Sequence, residues 1–183
     1  MRAWQGLAAV AGMALLAGCS GRDGAVDGTP PPEPAPGLVA GLWTGKGVAA
    51  GVASATEVPG GVRIQVEAEG LTPGPHGVHV HMAGKCDAPD FASAGGHWNP
   101  SAKQHGAMNP MGPHVGDMPN LIAGADGKGT LSFVLAGATI AGLADADGAA
   151  LIVHAGEDDL KTDPSGNSGG RFACGVLETP NGG

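Results

Sequence analysis

The chain has 183 residues, 42% of them hydrophobic, which is enough for a single packed domain. Asp and Glu number 17 against 9 Lys and Arg, and the basic residues form no run, which argues against nucleic acid as a partner. The 35 glycines favour short strands joined by turns.

The first residues have the layout of a secretory signal. Arg2 precedes an apolar run at residues 7–16, which is too short to anchor the chain as a membrane span. The run continues into Leu-Leu-Ala-Gly-Cys-Ser at residues 15–20, which resembles the bacterial lipobox, where cleavage leaves the cysteine, here Cys19, as a lipid-carrying N-terminus. An ordinary signal peptide with an incidental cysteine is the alternative.

These features predict how the chain is organised. We expect a lipoprotein signal peptide over residues 1–18, a lipidated cysteine with a proline-rich linker over 19–37, and one domain over 38–183. Such a protein is exported and is held in the bacterial cell envelope by a lipid anchor on Cys19, facing the periplasm. Ser20 after the cysteine, in place of an aspartate, favours the outer over the inner membrane.

Two cysteines remain for the domain, Cys86 and Cys174. An even pair in an exported chain predicts a disulfide, since oxidising compartments let such bonds persist. The bond would close a loop of 174 − 86 = 88 residues, which stabilises the fold by about 4 to 5 kcal/mol in the chain-entropy model. Two buried thiols are the alternative.

The domain has the pattern of an all-β protein. Between Val62 and Glu69 apolar and polar residues alternate strictly, which predicts a strand with one solvated face. Turn sequences such as Pro59-Gly60-Gly61 bound several segments of this kind. Further predicted strands are residues 46–53, 77–82, 130–135, 149–154 and 171–178. Many short strands with turns indicate an antiparallel sandwich or barrel.

Residues 83–120 show no strand pattern, and a loop of that length needs something else to order it. It holds His97, His105, His114 and Asp117, and three imidazoles with one carboxylate form a suitable tetrahedral set for zinc. In His114-Val-Gly-Asp117 the glycine lets the chain curl so that both side chains face one ion. Zinc and a disulfide are thus the two predicted restraints on this loop.

A second group of histidines lies on predicted strands. His79 and His81 are two residues apart and therefore share one face of a strand, and His154 ends another strand. Ligation by nitrogen alone favours copper over magnesium or calcium. A lone histidine at a strand end is more often structural than a ligand, so His154 counts only in this company.

The motifs together resemble those of the copper-zinc superoxide dismutase family, in the family's order and over residues 38–177. They are His76-Gly-Val-His79-Val-His81, Gly84-Lys-Cys86, Gly95-Gly-His97-Trp-Asn-Pro100, His105-Gly106, Gly112-Pro-His114-Val-Gly-Asp117, Val153-His154 with Asp158-Asp-Leu160, and Arg171-Phe-Ala-Cys174-Gly175.

The resemblance implies an eight-stranded antiparallel Greek-key barrel or sandwich with long metal-binding and electrostatic loops. It implies copper and zinc as cofactors, with His97 in both ligand sets as a bridging imidazolate. The implied copper ligands are His79, His81, His97 and His154, and the implied zinc ligands are His97, His105, His114 and Asp117.

The implied reaction is dismutation of superoxide, a small anionic substrate, to oxygen and hydrogen peroxide. Besides ligating, His97 would pass a proton to the product, and Arg171 would guide the anion. Asp158 would link His105 to His79, and His76 would support the copper site. An envelope module of the same fold that stores copper and zinc with little turnover is the alternative.

Two further points stay open in the sequence. Four methionines lie close to the histidines along the chain, and we expect them to be core filler, with Cu(I) binding as the alternative. They are Met82, Met108, Met111 and Met118. The oligomeric state cannot be read from one chain.

Overall fold

The structure is a computed structural model that describes residues 37–180. All of these residues belong to the second of the two units into which the chain divides, Glu33–Gly183. The predicted signal peptide, Cys19 and the linker before Gly37 lie outside the described residues, as do the last three residues of the chain.

The described residues form an almost entirely β structure with nine strands and very little helix. The strands are β1 (Leu38–Thr44), β2 (Ala49–Val58), β3 (Gly61–Ala68), β4 (Gly74–His76), β5 (Val78–His81), β6 (Leu121–Ala123), β7 (Gly129–Ala136), β8 (Ala150–His154) and β9 (Arg171–Val176). A 3-10 turn at Ala92–Ala94 and the short helix α1 (Ile140–Leu143) are the helical segments of residues 37–180.

Seven of these strands form one antiparallel, curled sheet in the order β5-β8-β9-β1-β2-β3-β7, and β4 pairs with β6 in a second, two-stranded sheet. The chain thus returns β8 and β9 to lie between β5 and β1, so strands distant in sequence are neighbours in space. The all-β Greek-key class predicted for the chain is confirmed.

The strand predicted at residues 77–82 is observed as β5 (Val78–His81), and a separate strand, β4 (Gly74–His76), ends just before Gly77. β4 precedes this glycine and pairs with β6, while β5 follows it and pairs with β8. A Cβ at position 77 would lie 2.9 Å from the Ser168 Cβ and 3.2 Å from the Asp158 Cβ. Glycine therefore lets the chain change sheets at this point, and β4 is one of the nine strands observed where eight were expected.

β3 shows the alternation that its sequence predicts. Val62, Ile64 and Val66 are buried, while Gln65 and Glu67 are exposed. The buried face joins a core built from β1, β2, β5, β7, β8 and β9. A smaller apolar cluster around Phe91 packs beside the disulfide.

Three strands, β1, β4 and β6, were not predicted, and one was displaced. β1 (Leu38–Thr44) buries Leu38, Ala40 and Leu42, a pattern weakened in the sequence by small residues. The strand predicted at 46–53 begins three residues later, because Lys46 and Gly47 form the β1–β2 turn, where Gly47 has a φ of 75°. β6 has only three residues and gives no periodic signal.

The long segment 83–120 lacks regular strands, as expected, and the predicted disulfide ties its beginning to β9. Cys86 and Cys174 are bonded, with their Cα atoms 5.7 Å apart. A second restraint was not foreseen. β5 ends the large sheet, and the loop pairs with its outer edge through isolated bridges between His79 and Asp117 and between His81 and His97.

The expectation that the methionines fill the core is wrong for three of the four. Met118 is buried, but Met82, Met108 and Met111 are 54%, 67% and 64% exposed. These three side chains therefore lie on the surface of the domain and do not fill its core. In the residues that the structure describes, no helix is long and apolar enough to span a membrane.

Candidate metal centre

Six histidine rings and two carboxylates meet where the outer edge of β5 faces the long loop. Two groups of side chains there could hold an ion, and within each group one ligand atom per residue lies within 4.8 Å of the others. The first group is His79, His81, His97 and His154, and the second is His79, His97, His105 and Asp117; all of these residues are buried.

The sheet positions three of the rings. His79 and His81 project from β5, which pairs with β8 in antiparallel register. A register shift between Val153 and His154 interrupts the β8–β9 pairing, and such a bulge re-aims the side chain that follows it. His154 thereby joins the two β5 histidines.

The loop delivers His97 and Asp117 by pairing with β5. The Val80 amide donates to the Gly116 carbonyl at 3.0 Å, and the Trp98 amide donates to the Val80 carbonyl at 2.8 Å. A Cβ at position 116 would lie 2.4 Å from the Val80 carbonyl oxygen. The glycine of His114-Val-Gly-Asp117 is thus required for close backbone approach, whereas the sequence predicted a curl.

Each ring of the first group has one nitrogen held by the protein. His79 Nε2 bonds to Asp158 Oδ2 at 2.7 Å, His81 Nδ1 to the Gly95 carbonyl at 2.9 Å, and His97 Nδ1 to Asp117 Oδ1 at 2.8 Å. His154 Nδ1 lies 3.3 Å from the Gly169 carbonyl.

The other nitrogen of each ring is buried without a hydrogen-bond partner. These atoms are His79 Nδ1 and the Nε2 atoms of His81, His97 and His154. A buried polar atom without a partner is costly, and four that converge are best explained by a shared cation. The nitrogen-only donor set fits copper.

Burial also keeps these rings neutral. It lowers the pKa of His81 to about 2, of His97 to about 4 and of His154 to about 3, and it lowers the pKa of His79 as well. A neutral imidazole has a lone pair to donate, so these rings are in the form that binds a metal.

Nitrogens of three rings surround one oxygen, Asp117 Oδ1. The oxygen lies 2.8 Å from His97 Nδ1, 3.0 Å from His105 Nδ1 and 3.2 Å from His114 Nδ1. His114 Nδ1 is also 3.4 Å from His97 Nδ1. Ligands about 2.0 Å from a tetrahedral zinc lie roughly 3.3 Å apart, so this spacing fits the donor set expected for zinc.

Asp117, His97 and His105 provide three donors for an ion here, and either His79 or His114 could provide the fourth. The second group of side chains, defined by ligand atoms within 4.8 Å of one another, includes His79 and omits His114. His79, however, has only Nδ1 free, because Asp158 holds its Nε2, and that nitrogen converges with the first group. The distances of His114 Nδ1 to Asp117 and His97 make His114 the better fourth donor.

Asp158 joins the two groups from behind. Its Oδ2 bonds to His79 Nε2 at 2.7 Å and its Oδ1 to His105 Nε2 at 3.0 Å, and the side chain is buried. Burial alone would raise the pKa of Asp158, but hydrogen bonds from His105 and His79 hold it below its usual range. The carboxylate therefore fixes which nitrogen of each ring faces the centre.

His105 lies between the two carboxylates. Burial lowers its pKa, but hydrogen bonds to Asp117 and Asp158 outweigh burial and raise the pKa to about 9. Burial alone would raise the pKa of Asp117, but hydrogen bonds from His105, His97 and the Gly106 amide hold it below its usual range. Two carboxylates that stay ionised beside these rings suit a divalent cation.

Arg171 begins β9 beside the first group. Its guanidinium donates to the Gly95 carbonyl at 2.6 Å and to the Phe91 carbonyl. Burial lowers the pKa of Arg171, with Asp90 opposing the shift, but a guanidinium stays charged in proteins. A half-buried positive charge thus lies close to the copper-type donor set.

His76 is buried and lies outside both groups. Its Nδ1 is 2.8 Å from the His154 carbonyl, and its Nε2 is 2.8 Å from the Thr72 carbonyl. With both nitrogens occupied, it holds backbone next to the centre and has no free donor for a metal.

Three contributors were missed in the sequence. The Asn120 amide bonds twice to the backbone of Asp158, at 2.8 and 2.9 Å, and the Gly95 carbonyl holds both His81 and Arg171. Asp163 accepts a hydrogen bond from the His105 amide at 2.6 Å. These contacts join segments far apart in sequence, so no local sequence pattern predicts them.

Comparisons with known proteins agree with this geometry. Residues 49–177 match the family described as copper/zinc superoxide dismutase (SODC). The chain is 44% identical to the Cu-Zn superoxide dismutase of Caulobacter vibrioides over 141 residues, 73% of this chain and 81% of the relative. It is 43% identical to Cu-Zn superoxide dismutase 1 of Aquifex aeolicus, covering 73% of this chain and 82% of that one.

Solved structures give the same result. The crystal structure of a SOD-like protein from Bacillus subtilis has a TM-score of 0.74 and 41% identity, covering 78% of this chain and 99% of that one. The Cu/Zn superoxide dismutase from Brucella abortus has a TM-score of 0.64 and 35% identity, covering 76% and 98%. The chain therefore belongs to the copper/zinc superoxide dismutase family: it is an oxidoreductase that acts on superoxide, with copper and zinc as cofactors.

Proposed function

We propose that this protein dismutates superoxide in the cell envelope at a copper site that shares one histidine with a zinc site. In this assignment His79, His81, His97 and His154 hold copper, and His97, His105, His114 and Asp117 hold zinc. The observation that carries it is the position of His97, whose Nδ1 lies 2.8 Å from Asp117 Oδ1 while its buried Nε2 has no partner.

Copper, when bound, supplies the electron exchange: one superoxide gives up an electron and leaves as oxygen, and a second takes that electron and two protons and leaves as hydrogen peroxide. Zinc has no redox chemistry and serves to fix the loop.

The residues of the chain do the remaining work. With Nδ1 directed at the zinc set, His97 carries its proton on Nε2 whenever that nitrogen is not a ligand, and it can give that proton to the departing product. Asp158 and the Gly95 carbonyl keep the His79 and His81 rings in the orientation that presents their free nitrogens. Arg171 attracts the anion from solvent.

The test combines metal analysis with a dismutation assay on the purified domain, and compares His97→Ala with His114→Ala. The parent should hold near-equal copper and zinc and be active. His97→Ala removes a donor from both sets, so it should lower the bound content of both metals and abolish nearly all activity. His114→Ala should lower the zinc content and leave the copper content unchanged.

Far-UV circular dichroism shows whether each variant is folded. A folded His97→Ala protein that dismutates superoxide at the parent rate would contradict the shared histidine. Full metal content in the parent without activity would favour the alternative, a storage module of the same fold.

We further propose that the protein is exported and anchored by lipid on Cys19. The Cys86–Cys174 disulfide supports export, since such bonds persist in oxidising compartments. The support for the anchor is the Leu-Ala-Gly-Cys sequence at residues 16–19, which follows an apolar run of signal-peptide length.

A further inference from the structure

The segment between β8 and β9, residues 155–170, contacts His105 and His114, the two histidines assigned to zinc and not to copper. Asp163 Oδ1 accepts a hydrogen bond from the backbone amide of His105 at 2.6 Å and lies 3.9 Å from Nε2 of His114. The side chain of Asp163 is 46% exposed. One carboxylate thus faces the backbone of one zinc donor and the ring of another.

The ring of His114 has its two nitrogens in different environments. Nδ1 points at the zinc set, 3.2 Å from Asp117 Oδ1, so Nε2 is the nitrogen left to carry the proton. A histidine that ligates a metal commonly turns its other nitrogen toward a carboxylate or carbonyl, which fixes the tautomer and makes the ligating nitrogen more basic. Asp163 is the carboxylate placed toward that side of the His114 ring.

We propose that Asp163 is a positioning residue for zinc, a second outer carboxylate that hydrogen-bonds the His105 backbone and attracts the Nε2 side of the His114 ring electrostatically. The inference rests on the zinc assignment made above. Asp163 touches no member of the copper-only donors in the described contacts, so its effect is confined to the zinc side.

The chain around Asp163 holds it in place. The Asp159 carboxylate accepts hydrogen bonds from the Lys161 amide at 3.0 Å, the Thr162 amide at 2.8 Å and the Thr162 hydroxyl at 2.6 Å. This network fixes the turn that ends just before Asp163. The carboxylate therefore reaches His105 from a backbone that is already ordered.

The two loops are also joined by contacts that do not involve Asp163. The Met108 amide donates to the Leu160 carbonyl at 2.8 Å, and the Asn109 side chain donates to the Lys161 carbonyl at 3.2 Å. Removing the Asp163 carboxylate should accordingly leave the loops docked while it loosens the zinc donors. The two effects can be separated by experiment.

The experiment measures zinc affinity of the metal-free protein by competition with a chromophoric chelator, with copper affinity measured separately with a copper chelator. In Asp163→Ala the zinc dissociation constant should rise about 10- to 100-fold, the range seen when an outer partner of a ligand is removed. Asp163→Asn keeps an oxygen for the His105 amide and should weaken zinc less. Copper affinity should stay within about twofold of the parent, since the copper-only donors keep all their partners.

The matched control is Asp126→Ala, an exposed carboxylate that also accepts one backbone hydrogen bond, from Lys128 at 3.1 Å. It should leave both affinities unchanged. The proposal is overturned if Asp163→Ala binds zinc within about twofold of the parent, or if copper weakens as much as zinc. Because both measurements use binding alone, this result is independent of whether the loaded protein turns over superoxide.

Discussion

His81 and Arg171 donate hydrogen bonds to the same acceptor, the carbonyl of Gly95. The ring Nδ1 lies 2.9 Å from that oxygen and the guanidinium nitrogen 2.6 Å. One peptide group therefore sets both the orientation of a donor in the copper set and the position of the nearby positive charge. A second guanidinium bond, to the Phe91 carbonyl, fixes the charge further.

Arg171→Ala should lower kcat/KM for superoxide by about ten- to a hundredfold at low salt, because the anion loses its local attraction. The metal content should remain at the parent level, since the guanidinium ligates nothing. Stopped-flow or pulse-radiolysis rates, taken with metal analysis of the same sample, check this. Equal rates at low salt would count against a guiding role.

Arg171→Lys separates charge from geometry. A lysine restores the positive charge but lacks the planar fork that holds two carbonyls, so the rate should recover only in part.

The difference in rate between the parent and Arg171→Ala should shrink as ionic strength rises, because added salt screens the attraction.

Gly166→Ala should disrupt the carboxylate that joins the two donor groups. A Cβ at this position would lie 1.7 Å from Asp158 Oδ1 and 2.7 Å from His105 Nε2, and the backbone φ of +63° is itself strained for alanine. We expect a loss of stability of at least about 2 kcal/mol and weaker retention of both metals. Denaturant unfolding and dialysis against a chelator measure the two effects.

Gly170→Ala is the matched control, since this glycine lies in the same segment and a Cβ there meets no atom within 4 Å. It should behave like the parent. If Gly166→Ala retained parent stability and metal content, close packing of Gly166 against Asp158 would not be needed for either property.

Replacing both Cys86 and Cys174 by alanine should destabilise the metal-free domain by up to about 4 to 5 kcal/mol, because an 88-residue separation is no longer closed in the unfolded chain. Urea unfolding of the oxidised parent and the double variant gives the difference. The parent with added reductant should approach the double variant, and the variant should not respond to reductant. A parent insensitive to reductant would contradict a stabilising bond.

Cells that express the full chain should incorporate labelled palmitate into the protein, and Cys19→Ser should abolish the label. The reason is that lipid attachment requires the cysteine thiol at the processing site. Immunoprecipitation followed by autoradiography detects it. An unlabelled parent in cells that label a known lipoprotein would rule out the anchor.

The sequence predicted the strands whose two faces differ most. β3 alternates large apolar and charged residues, and its observed bounds, Gly61–Ala68, match the prediction to one residue. β1 (Leu38–Thr44) has the small residues Ala40 and Gly41 at its centre, one on each face, so the difference between its faces is small and it was not predicted. The change of sheet at Gly77, which separates the unpredicted β4 from β5, depends on contacts with Ser168 and Asp158, about eighty to ninety residues away along the chain.

The histidines of the centre were predictable because ligand types are few and their motifs are distinctive. What supports them was not. Asn120 reaches Asp158 across 38 residues, and Asp163 reaches His105 across 58. Such contacts depend on how two loops dock, and a polar residue in a loop looks the same in sequence whether or not it faces a ligand.

The copper-type histidines lie mainly on strands and the zinc-type histidines in a loop, and this difference determines where the gene can tolerate insertions and deletions. His79 and His81 lie on β5 and His154 ends β8, in paired strands where one extra residue would turn the side chains after it to the opposite face. His105 and His114 lie in a loop, where an added residue can be absorbed by a wider bend. Length changes should therefore accumulate between the loop histidines and be purged from the strands.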